Sequence, residues 1–220
     1  PEILGQEDKV MFGCIDIDLP DMLLNEKYDM ALNIKNKLLE DYGIIALIET
    51  SKSKGFHVWV FFSIPQERTF IKNILQNVIK NVTDHKISNG KIEVFPKGDK
   101  GNAIFLPFFG MFKDENNLNQ SYFAQKKNIF VKGQNMKVIK NPLEAIHQAI
   151  RQNDTILQIL KEISIYPECI RKALFHWIKG ERHYLTMGLA GVLKKVSKVS
   201  ETEAQSVIKL IAQFNHDEEI

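Results

Sequence analysis

A short apolar stretch that carries two acids, residues 14–20 (CIDIDLP), limits the fold of this chain most strongly. Read as a β-strand, it directs Ile15 and Ile17 to one face, because strand side chains alternate. Asp16 and Asp18 then share the other face, roughly 6 to 7 Å apart, where they repel each other unless a cation lies between them. Such oxygen ligands suit Mg²⁺ or Mn²⁺. A solvated carboxylate face is the competing interpretation of this motif taken alone.

Composition excludes few functions. The chain has 220 residues, 44% of them hydrophobic and 25% charged, and a net charge of +2, so the local distribution of charge is more informative than its sum. Cys14 and Cys169 lie far apart, and neither has a Cys or His neighbour at metal-ligand spacing, which argues against a Cys-rich zinc site and fits a reducing cytoplasm. No apolar run approaches membrane-spanning length. We expect a cytoplasmic protein without a membrane partner.

The hydrophobic periodicity predicts an α+β domain at the start of the chain. It indicates a strand in residues 14–20 that is broken by Pro20, and further strands at 44–48, 56–62, 91–95 and 103–106. It indicates helices at 21–42 and 66–82, packed on one side of a mixed or antiparallel sheet. Gly43 should end the first helix, and Pro65 should end the third strand.

Residues 116–142 are less regular, and the chain from Pro142 onward reads as helix. Helices are predicted at 143–163, 167–178, 181–196 and 201–214. Pro142 suits a first-turn position, and Ser200 with Glu203 forms a capping box. We therefore predict two domains, an α+β domain over residues 1–145 and a small all-α domain over residues 146–220.

A polar hairpin loop, residues 51–57 (SKSKGFH), has the chemistry of a phosphate site. Backbone N–H groups of a glycine turn can approach phosphate oxygens, and Lys and His supply charge-assisted hydrogen bonds. The candidate triphosphate ligands in this loop are Lys52, Ser53, Lys54 and His57. An exposed hairpin tip, with a core histidine at its base, is the alternative.

A third acid, Glu93, lies inside an apolar strand, where Glu is unfavoured. If this strand lies next to the first one, Glu93 becomes the third carboxylate of the metal site. The alternative is an edge-strand Glu that faces water. The loop that follows contains Lys97, Gly101 and Asn102.

Together these motifs resemble the archaeo-eukaryotic primase superfamily of primase-polymerases, whose core is an RRM-like sheet with helices. The family's strand acids, small-x-His motif and third acid are matched by Asp16 and Asp18, by residues 55–57 (GFH) and by Glu93. Residues 92–97 (IEVFPK) and 101–107 (GNAIFLP) look most like the primase-polymerases of CRISPR loci, phages and related conflict systems. Residues 166–174 and 180–195 are similar to the helical primase C-terminal region.

Two features depart from the family's pattern. The third acid is Glu where several relatives have Asp, which alters metal spacing without removing a ligand. The chain has no Cys/His zinc motif, so the sequence does not support the role in template binding that a zinc site has in some relatives.

The resemblance implies nucleotidyl transfer from NTP or dNTP on a DNA template and primer, with two Mg²⁺ or Mn²⁺ ions held by Asp16, Asp18 and Glu93. It also implies that Lys97 or Asn102 could reach the phosphates or the sugar of the nucleotide. It implies a monomer, with CRISPR adaptation or replication proteins as candidate partners. Nucleic-acid phosphates would meet the acid-free lysine segment within 116–142 and the basic helical residues Arg171, Lys172, Arg182 and His183. Two alternatives stay open, a catalytically silent nucleic-acid-binding module and a metal-dependent nuclease.

Overall fold

A computed structural model describes residues 8–51, 55–83, 91–97, 104, 107, 130–133, 136–177 and 181–215, except for the side chains of Lys91 and Phe130. The strands are β1 (Lys9–Asp18), β2 (Leu47–Ser51), β3 (Gly55–Glu67), β4 (Lys91–Phe95), β5 (Phe130–Lys132) and β6 (Lys137–Val138). The helices are α1 (Leu24–Tyr42), α2 (Arg68–Val82), α3 (Pro142–Ile163), α4 (Glu168–Phe175), α5 (Arg182–Lys195) and α6 (Glu201–Phe214). None of these helices is long and apolar enough to cross a membrane.

The strands form a single sheet in the order β4-β1-β3-β2-β5-β6, and every pairing is antiparallel. The predicted α+β class is confirmed. The sequence did not predict β5 and β6, which lie in the stretch that we expected to be irregular. They are three and two residues long and are joined through a turn at Gly133, which has a φ of 69°. Strands this short carry too little periodicity to stand out.

The third strand extends further than its proline indicated. β3 continues through Pro65 to Glu67, because β1 pairs with it there, with Val10 opposite Gln66. The register shifts between Val10 and Phe12, and proline is tolerated at such irregularities because no ladder hydrogen bond needs its missing N–H. The prediction that Pro65 ends the strand was therefore wrong. The strand predicted at 103–106 lies, apart from Ile104, outside the described residues.

The two faces of the sheet are covered differently. On one face α2 packs so closely that a Cβ on Gly13 would lie 2.8 Å from side-chain atoms of both Ile71 and Leu75. On the same face Tyr28 of α1 meets Phe56, with ring centroids 5.1 Å apart.

The opposite face carries a core cluster formed by Cys14, Leu47, Trp59 and Phe95. Ile139, together with Ala145 and Ile146 of α3, packs against that cluster. Helices α1 and α2 therefore lie on the same face, as predicted, and the start of α3 covers the second face.

The chain divides into two compact units, Pro1–Leu39 with Ile44–Asp154, and Glu40–Gly43 with Thr155–Ile220. The division falls inside α3, and the boundary that we placed at residue 145 stays a prediction. Helices α4, α5 and α6 make up most of the second unit, where Leu174, Leu193 and Ile211 are fully buried.

The sequence signals for helix ends are found where they were predicted. Gly43 follows the last residue of α1 with a φ of 64°, a value that favours glycine. Pro142 is the first residue of α3. The Ser200 hydroxyl accepts a hydrogen bond of 3.2 Å from the Glu203 N–H at the start of α6.

Candidate active site

Two aspartates face the same way at the end of β1. Asp16 and Asp18 share a strand face with Cys14, whereas Ile15 and Ile17 are fully buried on the other face. The Asp16 side chain is 23% exposed, and Asp18 is exposed. The carboxylate pair therefore lies where the strand passes from the core to solvent.

Asp16 stands in a row of polar residues that crosses four strands. It lies opposite Glu93 of β4 on one side and opposite His57 of β3 on the other. His57 in turn lies opposite Glu49 of β2. Directly opposed residues of antiparallel strands share a sheet face, so these four side chains form one row. The sheet thus brings together three of the residues that the sequence had singled out, and it adds Glu49.

The Asp16 carboxyl is partly buried and short of hydrogen bonds. Its Oδ1 atom lies 3.6 Å from Nε2 of His57, and it has no hydrogen-bond partner among the residues that the structure describes. Burial raises the pKa of Asp16. The charges on His57 and Lys97 oppose this rise in pKa, and the charges on Asp18 and Glu93 add to it. A carboxyl in this condition is stabilised by a cation, so the donors fit a hard divalent ion.

The third acid is engaged by a lysine. Oε1 of Glu93 lies 2.5 Å from Nζ of Lys97, whose ammonium group also lies 4.9 Å from the centroid of the Phe95 ring. The Lys72 ammonium of α2 donates to the Lys97 carbonyl oxygen at 2.8 Å. Glu93 and Lys97 line a groove of about 660 Å³ beside β4 and α2.

No three His, Cys, Asp or Glu side chains in the described ranges are arranged as a group that could hold a metal ion. Glu93 is paired with Lys97 instead. A site built from all three carboxylates requires Glu93 to exchange that ammonium for a metal ion. The other two predicted ligands, Asp16 and Asp18, lie on the neighbouring strand β1, with Asp16 opposite Glu93.

Glu49 is the residue that sequence reasoning did not select. It is fully buried, and its Oε2 atom lies 3.0 Å from Nδ1 of His57 and 2.7 Å from Nε1 of Trp59. The signal that identified Glu93, an acid next to an apolar strand run, is also present at Glu49 in residues 44–50 (IIALIET). What the sequence alone could not provide is the register that places Glu49 beside His57.

The glycine of the small-x-His motif has a structural role that its sequence position did not reveal. A Cβ on Gly55 would lie 2.1 Å from the Ile17 carbonyl oxygen, so glycine is required for β3 to approach β1. The other predicted nucleotide ligands, Lys52, Ser53, Lys54 and Asn102, lie outside the described residues. Of the expected triphosphate contacts, the structure therefore describes His57 and Lys97.

The four basic helical residues that were predicted to contact nucleic acid belong to the second unit. Arg171 donates to the Asp41 carbonyl oxygen, pairs with Glu168 at 3.2 Å and lies 4.3 Å from the Tyr42 ring centroid. Lys172 is more exposed and lies 3.3 Å from the same glutamate.

The other two predicted contacts open α5, which begins at Arg182, and the His183 ring lies 5.8 Å from that of Tyr184. Of the lysine segment, residues 116–129 are outside the described part of the chain. Nucleic-acid binding by these residues stays a prediction.

Comparison with known proteins identifies a family for most of the chain. Residues 3–156 match the model of the archaeo-eukaryotic primase domain of the TOTE conflict system. No curated protein matches the chain. The matched range contains all six strands and the whole polar row.

Proposed function

This chain belongs to the archaeo-eukaryotic primase domain family of the TOTE conflict system, and from that membership we propose that it is a template-dependent primase-polymerase. The family is one of primase-like nucleotidyltransferases, as the motifs predicted. The proposed reaction adds nucleotides from NTP or dNTP to a primer on a DNA template. The finer resemblance to CRISPR-locus members and the helical C-terminal region stay predictions.

The row of polar residues carries the proposal. Asp16 and Asp18 project from one strand face, with Glu93 and His57 directly opposite Asp16 on the two adjoining strands. A solvated carboxylate face would not bury the Oδ1 atom of Asp16 without a hydrogen-bond partner in the described residues, since that burial costs free energy. This supports a site that is completed by a cation.

In the proposed reaction the 3′-oxygen of the primer forms a bond to the α-phosphorus, and the bond from that phosphorus to pyrophosphate breaks. Bound Mg²⁺ or Mn²⁺ would neutralise charge on the phosphates and help the 3′-hydroxyl to lose its proton. Asp16 and Asp18, joined by Glu93, would hold the ions. Positioning and charge neutralisation then supply most of the rate, and little covalent chemistry falls to the protein.

Two cationic or hydrogen-bonding groups flank these carboxylates on opposite sides. His57 presents Nε2 toward Asp16, and Lys97 presents its ammonium beside Glu93. Both are suited to the triphosphate, His57 through a hydrogen bond and Lys97 through charge. When Lys97 moves to a phosphate oxygen, Glu93 becomes free for a metal ion, so nucleotide and metal binding would support each other.

Extension of a labelled primer on a DNA template, with Mg²⁺ or Mn²⁺, tests the proposal. The intact chain should lengthen the primer, and Asp16→Ala and Asp18→Ala should each abolish extension while primer binding is kept. A shortened primer would point to a metal-dependent nuclease. No change in primer length, with binding retained, would point to a silent binding module.

A further inference from the structure

A buried acid lies behind the histidine of the polar row. Glu49 is fully buried in β2, and both of its polar contacts use the same atom, Oε2. Its Oε1 atom has no hydrogen-bond partner in the part of the chain that the structure describes. An apolar side chain would fill this core position at lower cost, so the acid needs a reason beyond packing.

The hydrogen bonds of Glu49 determine where the His57 ring carries its proton. The Trp59 indole nitrogen is only a donor, so Oε2 of Glu49 accepts at 2.7 Å. An oxygen that accepts from the indole also favours the N–H form of His57 Nδ1, which lies 3.0 Å away. With Nδ1 used in this way, Nε2 is the ring nitrogen that remains for a ligand.

The ring is also held in direction. The His57 and Trp59 rings meet edge to face at 86°, with centroids 5.6 Å apart, and Trp59 stacks on Phe61 at 9°. These contacts and the bond to Glu49 turn Nε2 toward Asp16 Oδ1, 3.6 Å away. The free nitrogen therefore points into the carboxylate site.

We propose that Glu49 is a positioning residue: it accepts a hydrogen bond from Nδ1–H of His57 and so directs Nε2 into the carboxylate site, where the protonated ring donates Nε2–H to a phosphate oxygen of the incoming nucleoside triphosphate. The part of this inference that concerns the nucleotide rests on the proposed function. The part that concerns the histidine tautomer and ring direction does not, so the two can be tested separately.

The first measurement is a long-range ¹H–¹⁵N correlation spectrum of the imidazole nitrogens in the full-length chain at alkaline pH. The chain has six histidines, and a His57→Asn variant assigns the signal of interest. In the unmodified chain His57 should carry its proton on Nδ1. A neutral His57 with a bare Nδ1 would overturn the proposal even if no variant folds.

Three variants then separate positioning from packing. Glu49→Met removes both acceptor oxygens at similar volume, and the folded variant should lose the Nδ1–H signature. Glu49→Gln keeps one acceptor oxygen and should restore it. Trp59→Phe removes the indole donor and should leave the His57 signal in place. A folded Glu49→Met chain with an unchanged His57 tautomer would refute the role of Glu49. So would a result in which Trp59→Phe loses the Nδ1–H signature and Glu49→Met keeps it.

Equilibrium binding of dATP with Mg²⁺ tests the consequence for the nucleotide. Glu49→Met should weaken binding by about 10- to 100-fold, the range seen when an orienting partner is removed from a metal-bound histidine. His57→Ala should weaken it as much, and the double variant no more than His57→Ala alone, since both act through one ring. Unchanged binding in Glu49→Met would overturn this part. If the unmodified chain binds no nucleotide, the proposed function fails and the tautomer result still stands.

Discussion

Both faces of the sheet contribute to the core, but the polar row lies on one of them. On the face that contacts α2, Ile15, Phe56 and Val58 are completely buried. On the other face, β1, β2 and β3 carry Asp16, Glu49 and His57 beside the core cluster around Trp59. Because strand side chains alternate with period two, neighbouring residues in sequence can lie on these different faces.

Side-chain exposure also changes steadily along the polar row. Side-chain exposure rises along the row from Glu49 at 0% through His57 at 6% and Asp16 at 23% to Glu93 at 28%. The buried end is fixed by hydrogen bonds to Trp59 and His57, and the exposed end is an ion pair at the edge strand of the described sheet. In the proposed function, a nucleotide would therefore approach from the side of β4 and reach His57 behind the carboxylates.

The largest predicted effect is the loss of primer extension when Asp16 is substituted. Asp16→Asn should reduce primer extension by about 10³-fold or more, since several kcal/mol of transition-state stabilisation would go with the metal ligand. Stability at neutral pH should not fall, because the substitution removes a charge whose burial is unfavourable. Extension rates and urea unfolding of the same preparation measure both quantities.

Asp29→Asn, on the exposed side of α1, is the matched control and should leave extension unchanged. If Asp16→Asn kept extension near the original rate, the polar face would not be the catalytic one. A large loss of stability in that variant would show that this face also holds the fold together.

Next in size is a change on the apolar face. Ile15→Ala removes a completely buried side chain and should lower the free energy of unfolding by about 2–5 kcal/mol. Per folded molecule, primer extension should stay close to that of the unmodified chain. Ile15→Val should cost about 0.5–1.5 kcal/mol and keep activity, as a graded control. Loss of activity at unchanged stability would contradict the separation of the two faces.

The sequence alone identified most residues of the polar row, but not how they are arranged. Asp16 and Glu93 stood out because acids are unusual inside apolar strands, and the same rule applied to Glu49 would have found another member of the row. His57 stood out because it follows the basic, glycine-containing hairpin loop. What the sequence could not provide is register, which decides that His57 lies between Asp16 and Glu49.

The prediction from the sequence was wrong where pairing between distant strands outweighs a local signal. β3 runs through Pro65 because β1 pairs with it beyond that point. The close approach of Gly55 to the Ile17 carbonyl oxygen is likewise a property of two strands that no single stretch reveals.

A smaller effect is expected at the exposed end of the row. Lys97→Met should weaken dATP binding in the presence of Mg²⁺ by roughly tenfold, equivalent to about 1.4 kcal/mol, because one phosphate-directed charge is lost. Stability should change by less than about 1 kcal/mol, since partly exposed ion pairs contribute little. Lys209→Met, on an exposed position of α6, serves as the control and should leave binding unaffected. A stability loss well above this bound, with unchanged affinity, would mean that Lys97 only holds β4 in place.

The smallest expected effect is the pH dependence of stability at Asp16. Burial raises the pKa of this carboxyl above its ordinary value, so the folded chain binds the proton more tightly than the unfolded chain. As the pH rises from about 4 through the raised pKa, the unmodified chain should lose stability relative to Asp16→Asn and then reach a constant difference. Urea unfolding of both chains across this range measures the difference, without any nucleotide.

The same urea unfolding measurement in the presence of Mn²⁺ tests the proposed metal site. A bound cation favours the charged carboxylate, so Mn²⁺ at neutral pH should stabilise the unmodified chain and bring it level with Asp16→Asn or above it. If the unmodified chain instead gained stability relative to Asp16→Asn as the pH rose without metal, His57 would be compensating the Asp16 charge more strongly than burial opposes it. The charges of the polar row would then already be balanced in the free protein. Its exposed end would not need a cation, and this difference from the apolar face would be lost.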